Sequence, residues 1–168
     1  EKRRERIKKN IRTNDEAKLE NLVLEKIYSE IENGGMARNI ELTCDEMQLI
    51  KPLGLLTFKP IIYATNLSED ELSEGNLFSQ RVDEVALKEG AESVKISAQV
   101  ESELIELGEE ERFDYLEGLG IKEGGLESLI KATYRLLGLR TYFTTGEKET
   151  KAWTIKAGMT APQAAGVI

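Results

Sequence analysis

The chain has 168 residues, 40% hydrophobic and 32% charged, with a formal net charge of −8, no histidine and one cysteine. That length allows one full domain, or one domain with pieces of another. No apolar run approaches the ~18 residues needed to cross a bilayer. Cys44 has no partner for an internal disulfide, and the lack of histidine removes Ser-His-Asp pairs, Cys-His pairs and histidine-ligated zinc from what this chain can do alone.

The average charge hides an asymmetry. Residues 1–12 carry seven bases, including Arg3, Arg4, Lys8 and Lys9, against Glu1 and Glu5, a net of +5 that leaves −13 on the remainder. A basic segment on an acidic body is what one surface approaching phosphate requires; the same run also suits an ordinary solvated helix face. Residues 1–33 read as two helices. Ile7 and Ile11 lie four apart, and Leu19, Val23, Ile27 and Ile31 form a ladder beside Leu24 and Tyr28. Thr13-Asn14-Asp15 offers a break with N-cap chemistry, and Asn33-Gly34-Gly35 a stop. The stripe is narrow and its flanks charged, which predicts a coiled-coil-like antiparallel arm.

Thr43 is placed to cap a helix over 45–51, with Cys44 expected to pack beside Leu42 and Met47. The run Phe58-Lys59-Pro60-Ile61-Ile62-Tyr63-Ala64-Thr65 then reads as a buried parallel strand that stops at Asn66. An acidic loop over 70–76 precedes a helix carrying Phe78, Val82 and Val85, and a second strand, 93–96, leads into Ser97-Ala98. Strand, helix and strand with short connections predict a βαβ unit, so Asn66 and Ser97 end neighbouring strands at one sheet edge. Acidic helices follow. An amphipathic helix with Leu126, Leu129, Ile130, Thr133, Leu136 and Leu137 is stopped by Gly138. Residues 142–145 and 152–155 read as a hairpin, and Thr160-Ala161-Pro162 as a helix start.

The edge residues have a chemical reading. A carboxamide offers one acceptor and two donors, which suits a purine edge with an acceptor at N7. Guanine-reading Asn-Lys-x-Asp motifs use the aspartate to accept from the base's N1–H and 2-amino group. Here Leu67 and Glu69 stand at the lysine and aspartate positions, which weakens guanine preference. Ser97 and Ala98 are small enough for a second loop's backbone to approach the base, where an N–H could serve guanine O6. Asn66 alone is otherwise an ordinary turn former. Two loops at adjacent strand ends favour the nucleotide reading.

Several stretches carry a specific resemblance: Leu55-Leu56-Thr57-Phe58-Lys59-Pro60-Ile61-Ile62-Tyr63, Asn66-Leu67-Ser68-Glu69, Ser97-Ala98, Leu136-Leu137-Gly138-Leu139-Arg140-Thr141-Tyr142-Phe143-Thr144 and the run from Gly146 to Ile168. Through these the chain resembles the Obg-like ATPase (YchF) family of translation-factor-class P-loop NTPases. The resemblance implies an α/β chain in three parts: an inserted helical coiled-coil arm over 1–45, the C-terminal half of a P-loop G domain over 46–140, and the start of a β-grasp TGS domain over 141–168. It also implies ATP hydrolysis in preference to GTP, Mg²⁺ dependence, ribosome or RNA as partner, no membrane, and a location in the cytoplasm or in an organelle of bacterial descent. It makes Asn66, Leu67 and Glu69 the altered base-specificity motif and Ser97-Ala98 the last nucleotide loop, with Leu67 packed on the purine face. Arg3, Arg4, Lys8 and Lys9 become candidates for RNA or ribosome contact.

No Gly-x-x-x-x-Gly-Lys-[Ser/Thr] and no Asp-x-x-Gly occurs. The phosphate and Mg²⁺ residues are therefore expected outside this sequence, and the chain alone is expected to be inactive. The rival reading is a non-catalytic ribosome- or RNA-binding module with vestigial nucleotide loops.

Overall fold

The computed structural model describes residues 2–8 and 10–167. They divide into two compact units, Glu1–Pro60 and Ile61–Ile168. The division falls after Pro60 rather than at residue 45. The reason is packing: the segment after Thr43 contributes Ile50 to the same core as Val23 and Ile27.

In the first unit, α1 (Lys2–Ile7) precedes α2 (Asp15–Glu32). The break between them is set by Asn14, whose Oδ1 accepts from the Glu16 and Ala17 amides at 2.8 and 3.3 Å. The inward face of α2 is Ala17, Glu20, Val23, Leu24 and Ile27. Leu19 and Ile31, the ends of the expected ladder, are exposed instead. Val23 and Ile27 meet Ala37 and Ile50, flanked by Ile40, Leu42, Leu53, Leu55 and Phe58. Helix α3 (Cys44–Ile50) starts with a capping box: Thr43 Oγ1 accepts from the Glu46 amide, and Glu46 Oε2 accepts from the Thr43 amide at 2.8 Å. Cys44, expected to be packed, is exposed, because it occupies the first helical position beside that cap.

The second unit is built on two parallel strands, β1 (Ile62–Asn66) and β2 (Glu92–Ile96), joined through α4 (Leu77–Lys88). Ile62 pairs with Glu92 and Asn66 with Ile96, so both strands end at one edge. The expected strand is shorter at its start: Leu56–Phe58 forms a single 3-10 turn, and Pro60 has no amide to donate. Strand β1 is also half-exposed rather than buried, because among the described residues it has one neighbouring strand.

Side chains alternate across a strand. Ser93 donates to Asp83 of α4 at 2.6 Å, and Lys95 Nζ reaches the Glu74 carbonyl, so one face of β2 looks toward α4. Glu92 pairs with Arg135 of α7 (Gly125–Leu136), on the other face. Gly125 packs so closely on β2 that a Cβ there would lie 2.8 Å from Ile96 Cα. Small residues therefore turn inward on both helices, Ser79 and Ala86 from α4 and Gly125 and Ala132 from α7. Several of the larger apolar side chains read from periodicity face outward: Phe78 is 72% exposed, and Val85, Leu126, Ile130 and Leu137 are exposed as well, while Val82, Leu129 and Leu136 are half-buried. Gly138 stops α7 at φ +61°, as the sequence predicts.

Helices α5 (Ala98–Glu106) and α6 (Glu109–Gly118) enclose a separate cluster in which Leu67, Leu72, Val100 and Leu104 are buried, with Tyr115, Leu116 and Leu119 against it. The hairpin is β3 (Leu139–Thr145) and β4 (Thr150–Lys156), with Tyr142 opposite Trp153, followed by α8 (Ala161–Ala165).

A candidate purine site at the parallel strand ends

The parallel register carries the ladder one bond past β1, with the Leu67 amide donating to the Ile96 carbonyl at 2.8 Å. This holds the loop after Asn66 against the turn into α5. Ser97 is the N-cap of α5; it is buried, and its Oγ accepts from the Val100 amide. Next to it, the Ala98 amide donates to Asn66 Oδ1 at 3.0 Å, across 32 positions of sequence. The two loops inferred from separate stretches are thus joined by a direct hydrogen bond.

That bond fixes the orientation of the carboxamide. A backbone N–H requires an oxygen opposite it, so Nδ2 and its two donors point away from Ala98. Among the described residues Nδ2 has no partner. The bond also occupies the Ala98 N–H, so this backbone donor of the second loop is not free for guanine O6.

Leu67, expected on the purine face, is buried. At 7% exposure it lies in the cluster with Leu72, Val100 and Leu104, so it anchors the loop from below rather than presenting a platform for a purine face. Removing an apolar side chain of this size from water is worth about 1.5–3 kcal/mol, which favours the inward position. Glu69 opens a 3-10 turn, Glu69–Glu71, and its Oε1 accepts from the Tyr115 hydroxyl at 3.2 Å. The same hydroxyl donates to Glu103 Oε2 of α5 at 2.7 Å. The Glu103 bond, with burial adding to it, raises the Tyr115 phenol above its ordinary range. The same bond and a second from Gln99 lower the Glu103 carboxyl. No sequence signal marked Tyr115: it lies 46 residues from Glu69, in an acidic helix without clear apolar periodicity.

A cavity of about 570 Å³ in the first unit is lined by Met47, Ile50, Leu55 and Phe58 among others and is largely apolar. Among the described residues no three His, Cys, Asp or Glu side chains converge as a metal site, and no helix is long and apolar enough to cross a membrane.

The family model YchF-GTPase_C, described as "Protein of unknown function (DUF933)", matches residues 139–168. The chain is 48% identical to a protein of Haemophilus influenzae named ribosome-binding ATPase YchF, over 98% of this chain and 45% of that one. It is 47% identical to the Bacillus subtilis protein of the same name, over 100% of this chain and 47% of that one. The solved structure of the Schizosaccharomyces pombe YchF GTPase superposes with a TM-score of 0.79 at 35% identity, covering 90% of this chain and 41% of that one. The chain belongs to the YchF family.

It spans just under half the length of the YchF relatives named above. Its mixed α/β architecture is that of the YchF GTPase structure. Within the first unit of this YchF chain, the described basic residues singled out by sequence, Arg3, Arg4 and Lys8, do not form one free cationic face. Arg3 is paired with Glu20 at 2.7 Å, and Arg4 with Glu25 at 2.9 Å while stacking over Tyr28. The Glu20 hydrogen bond raises the Arg3 guanidinium above its ordinary value. Lys8 is exposed, and Lys9 lies outside the described residues. Charge counting could not foresee the pairing, because both acidic partners sit on α2, more than a dozen residues downstream.

Proposed function

We propose that this chain carries the base-reading half of a purine-nucleotide site in a ribosome- or RNA-associated P-loop NTPase that hydrolyses ATP in preference to GTP. The observation that carries the reading is the 3.0 Å bond from the Ala98 amide to Asn66 Oδ1. It ties together two loops at the carboxyl ends of adjacent parallel strands, where α/β sheets bind ligands, and leaves the Asn66 amide donors directed outward. Those donors suit purine N7. With the Ala98 N–H already engaged, guanine O6 loses a donor that adenine does not need.

Ser97 holds the second loop as the cap of α5, and Leu67 anchors the first loop through the cluster beneath it. Phosphate and Mg²⁺ binding are assigned to residues outside this sequence, since it has no Gly-x-x-x-x-Gly-Lys-[Ser/Thr] and no converging acidic cluster among its described residues. Mg²⁺ would supply charge neutralisation at the phosphates; this chain's own residues orient the base. The hairpin at 139–156 is assigned to the start of a β-grasp TGS domain. Ribosome association is inferred from the relatives' name, ribosome-binding ATPase YchF.

The test is titration calorimetry of the full-length protein with ATP and with GTP, parent against Asn66→Ala. ATP binding tighter than GTP binding, and weakened by the substitution, supports the reading. ATP affinity that does not respond removes Asn66 from the site, and an absence of nucleotide binding favours a non-catalytic binding module.

A further inference from the structure

Glu69 stands at the position where a guanine-reading motif places its acidic residue, yet its carboxylate is turned toward α6. The Tyr115 hydroxyl has a single proton and lies between two carboxylates, 2.7 Å from Glu103 Oε2 and 3.2 Å from Glu69 Oε1. Gln99 Nε2 adds a second donor to Glu103 at 3.1 Å. Two like charges brought this close repel, and the shared O–H is what reconciles them. The phenol itself is fixed: Tyr115 packs with Leu116 and Leu119 against the buried Leu67, Leu72, Val100 and Leu104.

We infer that Tyr115 is a specificity-positioning residue: by holding the Glu69 carboxylate against α6 and Glu103, it withholds from a purine the acceptor that guanine's N1–H and 2-amino group would require. The inference rests on the nucleotide reading above and extends it to base choice. It explains how an acidic residue can occupy the guanine-reading position without conferring guanine preference. Removing the hydroxyl leaves Glu69 and Glu103 with no proton between them, so repulsion drives Glu69 off α6 toward the open strand edge. An acceptor at this edge would serve guanine's N1–H and 2-amino group and not adenine, so the readout is the ratio of affinities and not stability.

The experiment measures ATP and GTP affinity for the full-length protein and for Tyr115→Phe, Glu69→Ala, Tyr115→Phe with Glu69→Ala, and Glu103→Ala. Tyr115→Phe is expected to tighten GTP binding relative to ATP by about tenfold, the scale of one hydrogen bond to a charged group. The double substitution returns the ratio to that of Glu69→Ala. Glu103→Ala, at an exposed position, frees the hydroxyl to serve Glu69 alone and leaves GTP no tighter than in the parent; it keeps the test open if Tyr115→Phe does not fold. An unchanged ratio in Tyr115→Phe, with ATP binding still dependent on Asn66, overturns this inference and spares the nucleotide reading. A GTP gain in Glu103→Ala also overturns it. ATP binding that ignores Asn66 overturns both.

Discussion

Replacing Gly125 by alanine adds one methyl group at the point where α7 meets β2. Its Cβ would stand 2.8 Å from Ile96 Cα, 2.9 Å from Cγ2 and 3.0 Å from Cβ. The first of these is a backbone atom of a paired strand, so no rotamer change relieves the contact; α7 or β2 must shift. Overpacking of this kind costs about 1–3 kcal/mol. Alanine's better helix propensity returns less than the ~1 kcal/mol seen in a helix interior, because Gly125 is the first residue of its helix. The expected net loss is about 1–2 kcal/mol. Gly118, the last residue of α6, supplies the control, since a Cβ there meets nothing within 4 Å. The same substitution at Gly118 should be neutral or stabilising by up to ~1 kcal/mol. Urea unfolding followed by far-ultraviolet circular dichroism reads both. Equal midpoints for the two variants would refute the packing argument, and with it the way Ile96 is held one residue before the Ser97 cap.

Three further outcomes follow from the first unit. Ile27→Ala should cost about 2–5 kcal/mol, whereas Ile31→Ala should cost well under half as much, because only Ile27 is buried; comparable losses in urea unfolding would restore the 19-23-27-31 ladder as the packed face. The Glu46 carboxyl is held below its ordinary value, chiefly by the bond from the Thr43 amide and then by Lys26. Its stabilisation is therefore present above the unfolded-state value of about 4.3 and lost as pH falls through the depressed folded value. Glu46→Gln should flatten stability against pH below about pH 4.3, and an unchanged acid limb in dichroism-monitored titration would exclude Glu46 as its source. Charge reversal at Arg6 and Lys8, both exposed, should weaken ribosome co-sedimentation and reduce its salt dependence. Reversal at Arg3 and Arg4 additionally breaks their pairs with Glu20 and Glu25 and is expected to lower helix stability. Undiminished co-sedimentation of the Arg6 and Lys8 variant would mark the basic run as a solvated face.

The sequence was most legible where local chemistry decides structure. Asn14, Thr43 and Gly138 each act where their side chain, or lack of one, demands a boundary, and the parallel pairing of the strands ending at Asn66 and Ile96 follows from short connections. It was least legible on the faces of α4 and α7. There periodicity selects the largest apolar residues, but close approach to a two-stranded sheet selects the smallest, so Ser79, Ala86, Gly125 and Ala132 turn inward. At the candidate site, Asn66, Ser97 and Ala98 could be read because each sits beside a strand end. Leu67 and Tyr115 could not. One is drawn into a cluster formed by helices later in the chain, and the other reaches Glu69 from a helix whose own pattern gives no hint of a neighbour.

The central claim is that Asn66, oriented by the Ala98 amide, reads a purine. Titration of the full-length protein with ATP tests it most directly. Asn66→Ala is expected to weaken ATP binding by roughly tenfold or more while leaving the unfolding free energy within about 1 kcal/mol of the parent, the worth of one hydrogen bond. ATP affinity equal to the parent's in a folded Asn66→Ala protein would contradict it.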